Sequence, residues 1–229
     1  MFDIFRKYNK TNFKSGYLLE DHIPLTVERT IKTDKNFIAP RKIDNRDICL
    51  CSSDQGNTPH CAGFATAGFI EFHNWRLKHY PEQVDGKIIY LEAKKNDGFS
   101  GDGTYLNFAT KAAIDLNLIR GKPKKVVPCQ NDVKFAIHEY GVCIAGFRIT
   151  DEWNIVEKKN GTIINLRDKA KNRGGHAVLL CGYHETEGVY IQNSWGESWG
   201  VYGFAILSWE QFSRQIFDAM VIDEISIAA

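Results

Sequence analysis

Ile191-Gln-Asn-Ser-Trp-Gly-Glu-Ser-Trp-Gly-Val-Tyr-Gly-Phe204 is the stretch that says most about this chain. It enters as the end of a strand, Val189-Tyr-Ile-Gln, whose β-branched and aromatic residues suit a buried pleated surface. It then breaks into glycine, serine and tryptophan, with Asn193 at the break. An asparagine there is ordinarily a turn former, but its amide oxygen can also accept an imidazole N–H and fix the tautomer of a histidine. His176 offers that imidazole in Gly174-Gly-His-Ala-Val, where Gly174 and Gly175 let backbone or substrate approach closely just before an apolar strand. A histidine in such a strand is commonly satisfied by a carbonyl, so its role depends on what else the chain supplies.

A nucleophile is supplied by Cys61. The turn formers Asp54, Gly56, Asn57 and Pro59 give way to Cys61-Ala-Gly-Phe-Ala-Thr-Ala-Gly-Phe-Ile-Glu-Phe-His-Asn-Trp-Arg-Leu77, in which Phe64, Gly68, Phe69, Phe72 and Leu77 recur at helical spacing. The spacing predicts a largely buried helix over 61–78 that opens on the cysteine. Free backbone N–H groups and the positive end of the helix dipole favour thiolate there, which turns an ordinary buried thiol into a nucleophile. Gln55, six positions earlier in the turn, can donate an N–H to an oxygen bound at the same helix end.

The remaining elements give the fold class. Residues 80–103 read as loop-rich, with Asn96-Asp-Gly and Gly101-Asp-Gly, and 104–118 as a second amphipathic helix. Gly121-Lys-Pro marks a lobe boundary. Beyond it Val142-Cys-Ile-Ala-Gly-Phe-Arg-Ile, His176-Ala-Val-Leu-Leu-Cys-Gly-Tyr, Val189-Tyr-Ile-Gln-Asn and Tyr202-Gly-Phe-Ala-Ile-Leu read as strands, with one helix near 132–139. Helices first and strands afterwards predict an α+β chain: a helical lobe over about 50–120 and a β lobe over about 121–229.

With 29 Lys and Arg against 28 Asp and Glu, the chain lacks the basic excess that nucleic acid requires, and 43% hydrophobic residues set it apart from a disordered polymer. No segment has the run of about 18 apolar residues that crosses a membrane. The first residues alternate charge with bulk and lack the apolar core of a secretory signal, which predicts a cytoplasmic protein or one exported by another route. Cys49-Leu-Cys51, with His60 and Cys61 nearby, is too closely spaced for the usual zinc hook, so no metal is expected, and thiol chemistry at Cys61 requires no cofactor. Lys122-Pro-Lys-Lys, without interleaved aromatics, reads as a solvated connector.

Three separated blocks, Asp54-Gln-Gly-Asn-Thr-Pro-His-Cys-Ala-Gly-Phe-Ala65, Gly175-His-Ala-Val-Leu-Leu-Cys-Gly-Tyr183 and the stretch quoted first, resemble the papain-like cysteine peptidases, as does Asp44-Asn-Arg. The similarity runs from about residue 40 to 209. It implies a two-lobe fold with a groove between the lobes, and a peptidase in which Cys61 attacks, His176 acts as base and acid, Asn193 orients His176 and Gln55 binds the oxyanion. By the same resemblance Trp195 shields the Asn193–His176 bond, while Gly103 and Thr104, in Gly101-Asp-Gly-Thr-Tyr, join Gly174 and Gly175 in the substrate groove. The partner implied is a polypeptide substrate, with a proteinaceous inhibitor as a second, and the chain is expected to be a monomer. A transamidase or transpeptidase with the same thiol chemistry and a catalytically silent peptide-binding module are the alternatives.

The sequence departs from the family pattern in three places. Ala62 replaces the tryptophan that usually follows the cysteine; Thr58 stands where the family has a half-cystine, with no cysteine between Cys61 and Cys129 to partner it; and Gly101-Asp-Gly-Thr-Tyr matches the family's glycine-rich substrate strand only loosely. Cys143 and Cys181 lie in apolar strands, and Cys49 and Cys51 are too close to bridge without strain, so no structural disulfide is expected. Residues 1–40, outside the catalytic domain at 41–229, are too short and aperiodic for an ordinary inhibitory pro-segment. They are also too apolar for a free tail, which predicts an extended strap packed along the body and kept out of the groove.

Overall fold

A computed structural model describes residues 30–31, 33–50, 52–157 and 159–226. After two short strands, β1 (Thr30–Ile31) and β2 (Lys42–Asp44), come three helices: α1 (Cys61–Lys78), α2 (Gly86–Lys94) and α3 (Leu106–Asp115). The chain then turns to strands: β3 (Arg120–Val126), β4 (Cys143–Thr150), β5 (Asn172–His184), β6 (Gly188–Gln192), β7 (Phe204–Leu207) and β8 (Ile216–Ser226). Helix α4 (Gln130–Tyr140) lies between β3 and β4, and α5 (Trp209–Gln215) between β7 and β8.

The strands form one mixed sheet in the order β1-β3-β8-β4-β5-β6-β7, with β2 added to the end of β5. β5 is its centre. It pairs with β4 from Asn172 to Leu180, with β2 from Gly182 to His184 and with β6 from Leu179 to His184. Its residues 175–183 are all buried, which is why the sequence there is continuously apolar instead of alternating.

Helix α1 lies between this strand and the other helices, and its small residues make that possible. A Cβ on Gly63 would sit 2.1 Å from Gly86 O, and one on Gly86 would sit 2.6 Å from Phe64 Cα, so α1 and α2 touch backbone to backbone. On the opposite side, the Gly68 Cβ position is 3.3 Å from Leu179 Cδ2 of β5. Phe69, Ile70 and Phe72 complete a helix that is buried nearly all round.

Three readings are corrected. The loop-rich stretch 80–103 contains α2, whose first turn is held by the Asp85 side chain accepting from Lys87 N. The expected connector Lys122-Pro-Lys-Lys belongs to β3, between β1 and β8, because its lysines pair across the strands: Lys122 with Glu224 and Lys124 with Asp223. α5 and β8 were not expected, although β8 buries Ala219, Met220, Val221 and Ile222 in the middle of the sheet. Most of the N-terminal strap lies outside the described residues. Of its described end, β1 runs parallel to β3, Thr33 hydrogen-bonds to Asp132, and Phe37 packs edge-on against Phe135 of α4 at 5.0 Å. The five described cysteines, Cys49, Cys61, Cys129, Cys143 and Cys181, are unbridged, while Cys51 lies outside the described residues.

Candidate active site

Cys61 is the first residue of α1 and is buried, so its N–H belongs to the first helical turn, where backbone donors lack intrahelical acceptors. His176 lies near the start of the apolar run of β5, with no exposed surface. The packing of α1 on β5 sets their relative level. Gly68 abuts Leu179, and from there back to Cys61 is seven helical residues, about 10 Å at 1.5 Å per residue. From Leu179 back to His176 is three strand residues, also about 10 Å. Cys61 and His176 thus each stand about the same distance from this contact along their own element.

Asn193 follows β6 on the other side of His176. Its Oδ1 is 2.7 Å from His176 Nε2 and also accepts from Ser194 N at 2.8 Å. An amide oxygen can only accept, so Nε2 carries the proton in this contact. The second ring nitrogen, Nδ1, is buried and hydrogen-bonds to no described residue. Burial pushes the His176 imidazole down to about 4, and the bond to Asn193 pulls the other way by favouring the charged ring. An imidazolium at this place thus needs an anion beside Nδ1.

Aromatic rings close the site from the β side. Trp195 lies over the His176 ring, tilted by 30° with centroids 4.7 Å apart, and Trp153 meets that ring edge-on at 6.0 Å. Trp199 stacks on Trp153 and donates its Nε1–H to Trp153 O at 2.8 Å, while Trp153 Nε1 donates to Gln215 Oε1 at 2.8 Å. Gln215 and Arg214 both reach the fully buried Glu152, so the aromatic wall rests on a satisfied charge network. Nothing in the sequence singled out Trp153 or Glu152, because their partners are some sixty residues away.

Gln55 is 4% exposed and its amide is held at both ends. Oε1 accepts from Ser194 Oγ at 2.6 Å, and one N–H of Nε2 donates to Thr58 O at 2.6 Å, which leaves the second N–H of the amide. Backbone contacts fix the loop as well: Gln55 N donates to Ser194 O at 2.9 Å, and Ser52 Oγ donates to Asn193 O. Gly203 (φ +83) lies against Ser52 so closely that a Cβ would fall 1.9 Å from Ser52 Cβ, so the glycine is required where these loops meet. Ser194 is the polar link between Gln55 and Asn193. It stands inside the stretch quoted first, but only the folded loops reveal its partner.

The expected groove residues divide into two groups. Gly174 and Gly175 lie within β5, opposite Ile149 and Arg148 of β4, and Gly174 has the positive φ of +107 that glycine tolerates. Gly103 donates its N–H to Tyr90 Oη at 3.2 Å, and the buried Thr104 keeps a hydroxyl with no described partner. Tyr90 of α2, which no local pattern marks, also packs its ring at a tilt against His60, centroids 4.2 Å apart, immediately before Cys61. Among the described residues no group of three or more His, Cys, Asp or Glu could hold a metal ion, and no helix is long and apolar enough to cross a membrane.

The fold and the family model together place the chain among the thiol hydrolases. The chain belongs to the papain family of cysteine proteases, whose family model matches residues 90–221, a span that takes in β5, Asn193 and the tryptophan loop. Among solved structures it is similar to xylellain, a cysteine protease from Xylella fastidiosa, with a TM-score of 0.76 and 21% identity over 92% of this chain and 96% of that one. It is similar also to procathepsin B S9 from Trypanosoma congolense (TM-score 0.70, 14% identity, 92% and 86% covered). Procathepsin L 3 of the Tenebrio molitor larval midgut is a third (0.64, 16%, 93% and 76%). The fold is therefore the papain-like α+β fold expected from the sequence. A sequence search of curated proteins gave no match.

Proposed function

We propose that this protease cleaves peptide bonds through an acyl-enzyme on Cys61, with His176 as proton carrier, Asn193 as its positioning residue and Gln55 as an oxyanion donor. The observation that carries the reading is the 2.7 Å contact between His176 Nε2 and Asn193 Oδ1, which turns the opposite nitrogen, Nδ1, toward proton exchange. With the ring buried, an imidazolium is stable only beside a thiolate, so the two protons of Cys61 and His176 titrate as a pair.

In this reading the Cys61 thiolate attacks the scissile carbonyl carbon and the C=O electron pair moves onto oxygen. The Cys61 N–H and the free Nε2–H of Gln55 hydrogen-bond to that oxygen, a stabilisation worth about 3–4 kcal/mol for a single donor at such a site. His176 gives its Nδ1 proton to the departing amine. Water then attacks the thioester with His176 as base, and release of the acid restores the thiolate and imidazolium. Trp195, lying over the ring, keeps water from competing for the Asn193 oxygen. In this reading the enzyme is a monomer acting on polypeptides, and the same groove is where a proteinaceous inhibitor would dock.

A peptide-library digest compared between wild type and Cys61→Ala tests the reading. Cleavage that disappears in the variant, with carboxylate products, is the expected result. Amine-capped products in the presence of added amine would assign the chain to transamidation. Unmodified peptides together with no labelling of Cys61 by an electrophilic thiol probe would make it a silent binding module.

A further inference from the structure

Cys49 and Cys181 are far apart in the sequence and are brought together away from the site. β2 pairs with the end of β5 so that Asp44 stands opposite Gly182, and Asn45 N donates to Cys181 O at 2.9 Å. The chain then makes one 3₁₀ turn, Arg46–Ile48, and Cys49 N returns to Asn45 O at 3.2 Å. That turn carries Cys49 back toward Cys181, close enough for its thiol to act on the Cys181 thiol. On the other edge of β5, the register with β6 shifts between Leu180 and Gly182, leaving Cys181 as the extra residue of a bulge. Bulges re-aim side chains, and this one sets Cys181 Sγ 3.5 Å from Tyr190 O. Cys181 has no exposed surface, whereas Cys49 is half-buried at the rim of the core.

We propose that Cys49 and Cys181 form a redox pair, a disulfide made on exposure to a low-molecular-weight disulfide such as glutathione disulfide, which ties the N-terminal segment to the central strand. The half-buried Cys49 meets the oxidant first. Its thiolate attacks one sulfur of glutathione disulfide, forming a mixed disulfide and releasing one glutathione thiolate, which takes up a proton. The Cys181 thiolate then attacks the Cys49 sulfur and the second glutathione leaves. In sum two protein thiols become one protein disulfide, and glutathione disulfide gains two electrons and two protons as two glutathione thiols. Burial holds the Cys181 thiol well above its ordinary range, with the Cys49 contact adding to it, while the nearby Arg46 guanidinium favours the thiolate. The second step is therefore the slow one.

The bond would close a loop from residue 49 to residue 181, and a crosslink of that span acts mainly by restricting the unfolded chain. The test uses the full chain carrying Cys61→Ser, so that the site thiol does not consume oxidant. It is incubated with glutathione disulfide, its remaining thiols are alkylated, and it is digested without reductant for mass spectrometry, alongside thermal melts before and after dithiothreitol. Expected are a Cys49–Cys181 crosslinked peptide and a melting temperature higher by roughly 5–10 °C, reversed by dithiothreitol and absent in Cys49→Ser. Glutathione retained on Cys49 beside an alkylated Cys181, a crosslink through Cys51, or a melting shift that persists in Cys49→Ser would overturn the proposal. The half-buried Cys49 is the position varied because its serine replacement leaves the core intact.

Discussion

Removing the Asn193 side chain is the sharpest perturbation of the site. In Asn193→Ala the His176 Nε2–H loses an acceptor at 2.7 Å inside a buried pocket covered by Trp195, so water is a poor substitute. Hydrogen bonds to a charged group contribute about 1.5–3 kcal/mol, and the dry setting argues for the upper half of that range. Burial already pushes His176 down to about 4, and Asn193 is what opposes it, so its loss destabilises the imidazolium further. At 1.36 kcal/mol per pH unit, the change amounts to roughly 1.5–2 units and about 30–100-fold in kcat/KM near the optimum. The sign differs on the two limbs. The alkaline limb, where the imidazolium loses its proton, moves down; the acid limb, where the thiol ionises, moves up because its counter-charge is less stable. A fluorogenic peptide assayed across pH should therefore give a bell narrowed from both sides, while Asn193→Asp, which puts a carboxylate beside Nε2, should extend the alkaline limb. A profile of unchanged width, with a circular dichroism melt proving the fold intact, would refute the coupling and leave Asn193 with a structural role only.

For the oxyanion donor, Gln55→Ala should lower kcat far more than it raises KM, by about 100-fold or more, and Ser194→Ala, which frees the Gln55 amide at one end, should do the same more weakly; steady-state kinetics on one peptide decide this, and a pure KM effect would remove both from the reaction. Iodoacetamide should label Cys61 selectively near about pH 6, well below the ordinary thiol range, and Cys61→Ser should be nearly inactive; even labelling of all the cysteines, read by peptide mapping, would contradict the assignment. Buried Glu71, behind the site, is raised to about 7 by desolvation although it accepts from Val84 N at 2.9 Å. Its folded form holds the proton more tightly than the unfolded chain, so its stability contribution is full below about pH 4.5 and is lost as pH rises through 7. Glu71→Gln should therefore gain up to about 3 kcal/mol at pH 8 in urea unfolding and little at pH 4. His73, buried and lowered to about 3, works in the opposite sense: its contribution is full above 6.5 and fades as pH falls toward 3. His73→Phe should accordingly move the acid-unfolding midpoint down.

The parts of the fold read directly from sequence are those whose cause is local. Cys61 to Lys78 announces a buried helix because small residues and phenylalanines alternate at helical spacing after a cluster of turn formers, and α1 spans those residues. β5 reads as a strand because a chain buried on both faces is apolar without interruption. α2 escaped notice for the opposite reason. It begins at a glycine, runs only nine residues between turn signals, and exists because Gly63 and Gly86 let its backbone meet α1. That is a tertiary cause with no local periodicity long enough to detect.

β3 and the site itself carry this further. Lysine, proline and glycine argue against a strand in any local window, yet Lys122 and Lys124 face Glu224 and Asp223 of β8, about a hundred residues later. Opposite charges across a ladder remove the cost of placing a basic run in a sheet, and only the pairing partner makes that visible. At the site, Cys61, His176 and Asn193 each had a local signature: a helix start, paired glycines before a strand, an amide at a strand end. Ser194, Tyr90 and Trp153 had none, because each acts through hydrogen bonds or ring contacts to other elements. The groups proposed to react are thus legible residue by residue, whereas the groups that hold them in place belong to the packing and require the three-dimensional structure.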